Sequence, residues 1–154
     1  MIKTFILISA LVQTAHAQKV KTKDDLMKSP FCKEFACDDT SPYKDSDGNM
    51  AIQIRLAKDP LNFDLLGQLN GSNFSKLTFK FTNDEGVVNK TAFKSLVTSL
   101  LGKAPSEPEV DKIVAAALLK TKKVDLPNAE VNPLDTFKVR AGNVLKKPTI
   151  VIDY

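Results

Sequence analysis

The chain has 154 residues, with 22 lysines and arginines against 18 acids, one histidine, two cysteines, no tryptophan and a formal charge of +4. With 43% hydrophobic and 26% charged residues, it reads as a globular protein and not as a disordered, collagen-like or disulfide-dense one. Its length suits one domain, able to bury about 70% of the surface its unfolded chain exposes.

At the N-terminus, Met1-Ile2-Lys3 supplies a positive start, Phe5 to Val12 an apolar run, and Ala15-His16-Ala17 a small-residue site before Gln18. This pattern predicts a secretory signal peptide over residues 1–17. The run is much shorter than the roughly 20 residues a membrane-spanning helix needs. No transmembrane segment is expected, and the mature chain should be exported to a periplasmic or extracellular space. Cleavage would remove Lys3 and His16, leaving 137 residues with 21 cations against 18 acids, hence +3 and no histidine. That loss excludes Ser-His-Asp and Cys-His catalysis, and removes the imidazole that most zinc, copper and non-haem iron sites use.

Residues 18–49 read as a helical segment followed by a loop. Lys19, Lys21 and Lys23 form a frayed polar lead, and Thr22 with Asp25 has the spacing of a capping box. Ser29-Pro30 reads as N-cap and first helical residue, so residues 30–36 form a short helix presenting Phe31 and Phe35 on one face. Cys32 and Cys37 are expected to pair in an oxidising compartment, although a redox role and two free thiols remain alternatives. Two helical residues five apart have Cα atoms roughly 8 Å apart, beyond the limit of about 7 Å for a bridge, so Cys37 should lie past the helix end. The small ring makes the bridge a local staple. From Asp38 to Asn49 the residues are turn formers and predict a loop.

Residues 50–154 read as an α+β domain forming one globular unit with residues 24–49. Ile52, Ile54 and Leu56 alternate with polar neighbours and predict a strand. After Asp59-Pro60, Leu61, Leu65, Leu66 and Leu69 suit a short helix. A rival hairpin through Asn70-Gly71 puts Leu65 opposite Lys76 and mismatches the apolar faces, unless a three-residue loop restores them. Leu77, Phe79 and Phe81 define the clearest strand. Phe93, Leu96, Val97, Leu100 and Leu101 mark one helix stopped by Gly102, while Val110, Ile113, Val114, Ala117 and Leu118 mark a second, capped by Ser106 and Glu109. The short link between them predicts an antiparallel helix hairpin with facing apolar stripes. Phe137 to Ala141 and Ile150 to Tyr154 read as two terminal strands around a turn near Gly142-Asn143. The expected fold is thus α+β: one small, mostly antiparallel sheet of about four strands covered by the helix hairpin, with the disulfide-stapled helix beside it.

Few residues suggest chemistry. Asp45, Asp47 and Gly48 resemble part of a calcium loop, with Asp38 and Asp39 as possible further ligands. In EF-hand register, however, Tyr43 and Ile54 fall where acids are required, so a solvated turn is the simpler reading. Glu107, Glu109 and Asp111 could supply a histidine-free carboxylate pair, but acids in a first helical turn are accounted for by capping and the helix dipole. A basic patch is possible at Lys120, Lys122, Lys123, Lys146 and Lys147. With only Arg55 and Arg140 in the mature chain and no tryptophan, nucleic acid is not an expected partner. Asn70, Asn73 and Asn89 begin glycosylation sequons. The expected function is an exported, non-enzymatic module without cofactor that binds another macromolecule, a protein or an anionic envelope component, as an inhibitor or protective partner. The first alternative is an apolar-ligand carrier lined by Phe74, Phe79, Phe81 and Phe93, and the second a carboxylate hydrolase.

Overall fold

The computed structural model describes residues 20–58, 63–81, 90–118, 131–134, 137–144 and 147–154. The expected signal peptide, Lys19, Asp59-Pro60, Asn89, and Lys120, Lys122, Lys123 and Lys146 of the basic patch lie outside them.

The N-terminal caps form as their residue types require. The Thr22 hydroxyl accepts from the Asp25 amide at 3.1 Å, and the Asp25 carboxylate accepts from the Thr22 amide at 3.0 Å. This box opens helix α1, Lys23–Lys28. Ser29 then caps α2, Pro30–Phe35, with Pro30 at the start where no amide donor is needed. The lead before α1 is not frayed from Val20 onward. Val20 is buried, and the Lys21 carbonyl accepts from the Phe74 amide at 2.8 Å. Ala36 ends α2 in the left-handed conformation, φ 50°. The chain reverses there and brings Cys37 back to Cys32, with a Cα separation of 4.7 Å and a formed disulfide.

The sheet is larger than the four strands expected. Seven strands lie in the order β1 (Cys37–Asp39), β3 (Met50–Leu56), β4 (Phe63–Asn70), β5 (Asn73–Phe81), β8 (Lys147–Asp153), β7 (Phe137–Val144) and β6 (Val131–Leu134). A two-residue strand, β2 (Tyr43–Lys44), also pairs with β3. Every pairing is antiparallel. The predicted 38–49 loop therefore holds two short strands. Between them, the Thr40 hydroxyl accepts from the Gln53 amide and donates to its carbonyl, doing at one residue what a strand partner would do. The turn expected near Gly142-Asn143 is absent, because β7 runs on to Val144 opposite Lys147. Pro133 lies in β6, which is the sheet edge, where proline is tolerated.

The helix predicted around Leu61 to Leu69 is strand β4 from Phe63 onward. The β4–β5 loop is Gly71-Ser72, closing on Asn70 opposite Asn73. Carried straight on, that register would set Leu65 against Thr78 and the two apolar faces out of phase. A bulge between Gln68 and Leu69 leaves Ser75 as an extra residue, and Leu65 then meets Phe79. Ser75 is held from two sides: its hydroxyl donates to the Gln68 carbonyl, and its own carbonyl accepts from the Tyr154 amide.

With the register set, two apolar rungs cross the inner face. One runs Ile54, Leu65, Phe79, Ile150, Ala141, and the other Ile52, Gly67, Leu77, Ile152, Val139. Helices α3 (Lys90–Leu101) and α4 (Glu107–Leu118) lie over this face. Phe93 of α3 reaches Phe79, with ring centroids 6.1 Å apart, and α4 packs along β7 and β8. Helices α3 and α4 also pack on one another. Their link to each other includes the ion pairs Lys90–Asp111 and Lys94–Glu107, whose opposed order fits antiparallel neighbours. Gly102 stops α3 with φ 73° as expected, donating to the Thr98 carbonyl. A single buried cluster joins α1, α2, α3 and α4 to the inner face. Each fully buried Phe, Leu or Ile in it contributes about 1.5–3 kcal/mol.

Candidate functional site

The carboxylates singled out in the sequence have structural partners. Glu109 accepts from the Ser106 amide and hydroxyl at 2.9 and 2.6 Å, completing the cap of α4, while Glu107 and Asp111 pair with Lys94 and Lys90. Asp45 accepts from the amides of Asp47 and Asn49 and, at 2.8 Å, from the Gln68 side chain. Burial acts to raise its pKa, but the Asn49 amide, the Gln68 side chain and the Asp47 amide outweigh that and hold the carboxyl below its ordinary range. Asp39 lies 2.6 Å from the Lys23 ammonium, which lowers the Asp39 pKa and raises that of Lys23. Asp38 faces Arg55 across the β1–β3 ladder. The calcium candidates are thus spread over separate local contacts. No group of three or more His, Cys, Asp or Glu side chains able to hold a metal ion is assembled among the described residues.

The phenylalanines offered as a ligand lining pack on other rings. Phe79 and Phe81 are edge to face at 4.9 Å, and Phe74 lies 6.2 Å from Tyr154, whose ring also meets Phe137 at 5.0 Å. Burial, then the nearby Asp25 charge, raises the Tyr154 pKa. An open depression of about 390 Å³ lies elsewhere, between α1, the start of α2 and the end of α3; its lining includes Val20, Asp25, Lys28 and Ser99. Two of its polar groups are already used: Asp25 caps α1, and the Ser99 hydroxyl accepts from the Phe31 amide at 3.1 Å.

Among the described residues, no helix lies on the opposite face of the sheet. All four described helices join the inner cluster, whereas the alternate residues of β3, β4, β5, β8 and β7 point away from it. Across this outer face one rung reads Gln53, Leu66, Thr78, Val151, Arg140, and the next Ala51, Gln68, Lys76, Asp153, Lys138. Val151 is 3% exposed yet does not belong to the helix-covered core, and Thr149 beside it is 2% exposed. The Arg140 guanidinium holds Asp153 through two hydrogen bonds of 2.8 Å. Both Asp153 oxygens are thereby engaged, and Lys76 and Lys138, its cross-strand neighbours on either side, make no ion pair with a described carboxylate. Lys80 stands directly opposite Asp64, whose carboxylate accepts from the Gln53 side chain at 3.5 Å. At the β2 corner of this face stands Tyr43, opposite Ala51 and 43% exposed.

Lys147 is the one residue of the predicted basic patch that is described, and it opens β8. Sequence reasoning missed Lys76, Lys80 and Lys138 because single lysines alternating with apolar residues mark the solvent side of any strand. Only the register places them on one surface. No helix among the described residues is long and apolar enough to cross a membrane. Compared with protein-family models, with curated proteins and with solved structures, the chain found no match.

Proposed function

We propose that this chain is an exported, non-enzymatic module that binds another macromolecule through the outer face of its sheet. The observation that carries this reading is the one-sided covering: every described helix packs on the inner face, while the described outer face carries polar and charged side chains around Val151. Such a surface, with lysines, Arg140 and acids mixed across it and an exposed tyrosine at its margin, has the polar character of a protein-binding rim. The Cys32–Cys37 bridge and the signal-like N-terminus support export. The chemistry-bearing carboxylates weigh against catalysis, since Asp45, Glu107, Glu109 and Asp111 each serve a cap, turn or ion pair.

Photo-crosslinking in the native secreted or envelope fraction tests the reading. A photoreactive residue at Leu66 or Thr78 is expected to trap one discrete adduct, and the same residue at the exposed Ala115 of α4 is expected to trap none. Adducts of equal yield from both faces, or none from the sheet, overturn it.

A further inference from the structure

We infer that Asn70 carries an N-linked oligosaccharide and that Asn73, three residues on, does not. Two acceptor motifs follow one another at the β4–β5 hairpin, Asn70-Gly71-Ser72 and Asn73-Phe74-Ser75. Both set an asparagine two residues before a serine, so spacing alone does not separate them. Their places in the fold do. Modification of this kind occurs in a secretory lumen, and so it rests on the export proposed above.

Asn70, Gly71 and Ser72 make the hairpin tip, and all three are exposed. Gly71 turns the chain at φ 63°, and apart from its chain neighbours no atom lies within 4 Å of where a Cβ would stand. The Asn70 amide and the Ser72 hydroxyl make no hydrogen bond with a described residue. The second motif is built into the molecule. Phe74 is 4% exposed and its ring fills the space over Gly67, while its amide donates to the Lys21 carbonyl. Asn73 bridges to Thr22, the Ser75 hydroxyl donates to the Gln68 carbonyl, and the Ser75 carbonyl accepts from the Tyr154 amide. Drawing Asn73 and its serine into a transferase site would pull Phe74 from the core, whereas Asn70 and Ser72 are reached by loosening one turn. Asn70 also enters the lumen first. It stands directly opposite Asn73, about 5 Å away, so a glycan on it screens the second asparagine before and after folding.

The donor is a polyprenyl-pyrophosphate-linked oligosaccharide. A bond forms between Asn70 Nδ2 and the anomeric carbon of the first sugar, the sugar–phosphate C–O bond breaks, the lipid pyrophosphate leaves with the electron pair, and the amide loses one proton. The test takes the mature chain from its native secreted fraction and treats it with peptide N-glycosidase in water enriched in heavy oxygen. Release of the glycan converts the asparagine to aspartate with one heavy oxygen, and the same water without enzyme gives the background from spontaneous loss of ammonia at Asn70-Gly71. Fragment spectra of the peptide spanning both asparagines are expected to place the label at position 70 and none at position 73. Ser72→Ala should abolish the label on this peptide and Ser75→Ala should leave it unchanged, with Asn73→Gln in place of Ser75→Ala if that variant is not secreted. A label no higher than background at position 70, an equal or greater label at position 73, or a label that survives Ser72→Ala would each overturn the inference. A secreted chain without the label defeats the glycan alone, whereas a chain absent from the secreted fraction defeats the export reading with it.

Discussion

Gly67 illustrates how one residue depends on its surroundings. It sits on the inner face between Ile52 and Leu77, and a Cβ built there would lie 2.4 Å from the Phe74 ring. The ring fills the place a side chain would take, so Gly67→Ala must displace an aromatic already packed in the core. The expected cost is about 1–3 kcal/mol, read as a lower midpoint in urea unfolding; an unchanged midpoint would mean that the ring moves freely. Asp25 and Asp45 are a second case. The Lys21 amide, with the Thr22 hydroxyl and amide, lowers the Asp25 pKa, and the Asn49 amide and Gln68 side chain lower that of Asp45 against the opposing effect of burial. Carboxyls whose folded pKa lies below the unfolded value stabilise the fold above that value and lose the contribution as pH falls through it. Stability should therefore drop on acidification below about 4, and D25N/D45N should flatten the dependence of melting temperature on pH between about 5 and 2. A slope equal to that of the parent protein would contradict the assignment.

At the scale of elements, the caps and the disulfide behave differently from the strands. Thr22, Ser29 and Ser106 open α1, α2 and α4, and Gly102 closes α3, because a cap is satisfied by atoms within four residues. The Cys32–Cys37 ring is similarly local. It joins the end of α2 to β1, so its removal should loosen that junction and leave the central strands intact. C32S/C37S is expected to cost less than the roughly 3 kcal/mol of a 15-residue loop, measured by chemical unfolding with and without the bridge, and reduction should add the mass of two hydrogens. Residues 63–70 show the opposite dependence. Their leucines satisfy a helical spacing and a strand alternation at once, and the sequence reading favoured the helix. Pairing with β3 on one side and β5 on the other turned the balance, and the Ser75 bulge removed the register objection that had counted against a hairpin.

Across the whole molecule, stability should be graded from the centre of the sheet to its edges. β5 and β8 each have a strand on both sides and lie beneath helices, whereas β1, β2 and β6 are short and marginal. Native-state hydrogen exchange is expected to be slowest at Leu77, Phe79, Ile150 and Ile152 and fastest at the edge strands. Comparable protection at β2 would show that its pairing is stronger than its two residues allow.

From the sequence alone came the α+β class, the capped helices, the reach of Cys32 to Cys37, and the alternating strands β3 and β5. All of these depend on spacings of a few residues and on caps or turns satisfied nearby. The tertiary structure decided the rest: that residues 63–70 are strand, that β1, β2 and β6 extend the sheet to seven strands and a short eighth, and that the described helices all gather on one face. Those outcomes depend on pairing energy between distant segments, as when Lys76 of β5 and Lys138 of β7 come to flank Asp153. Their pattern becomes a surface only once the strands are in register.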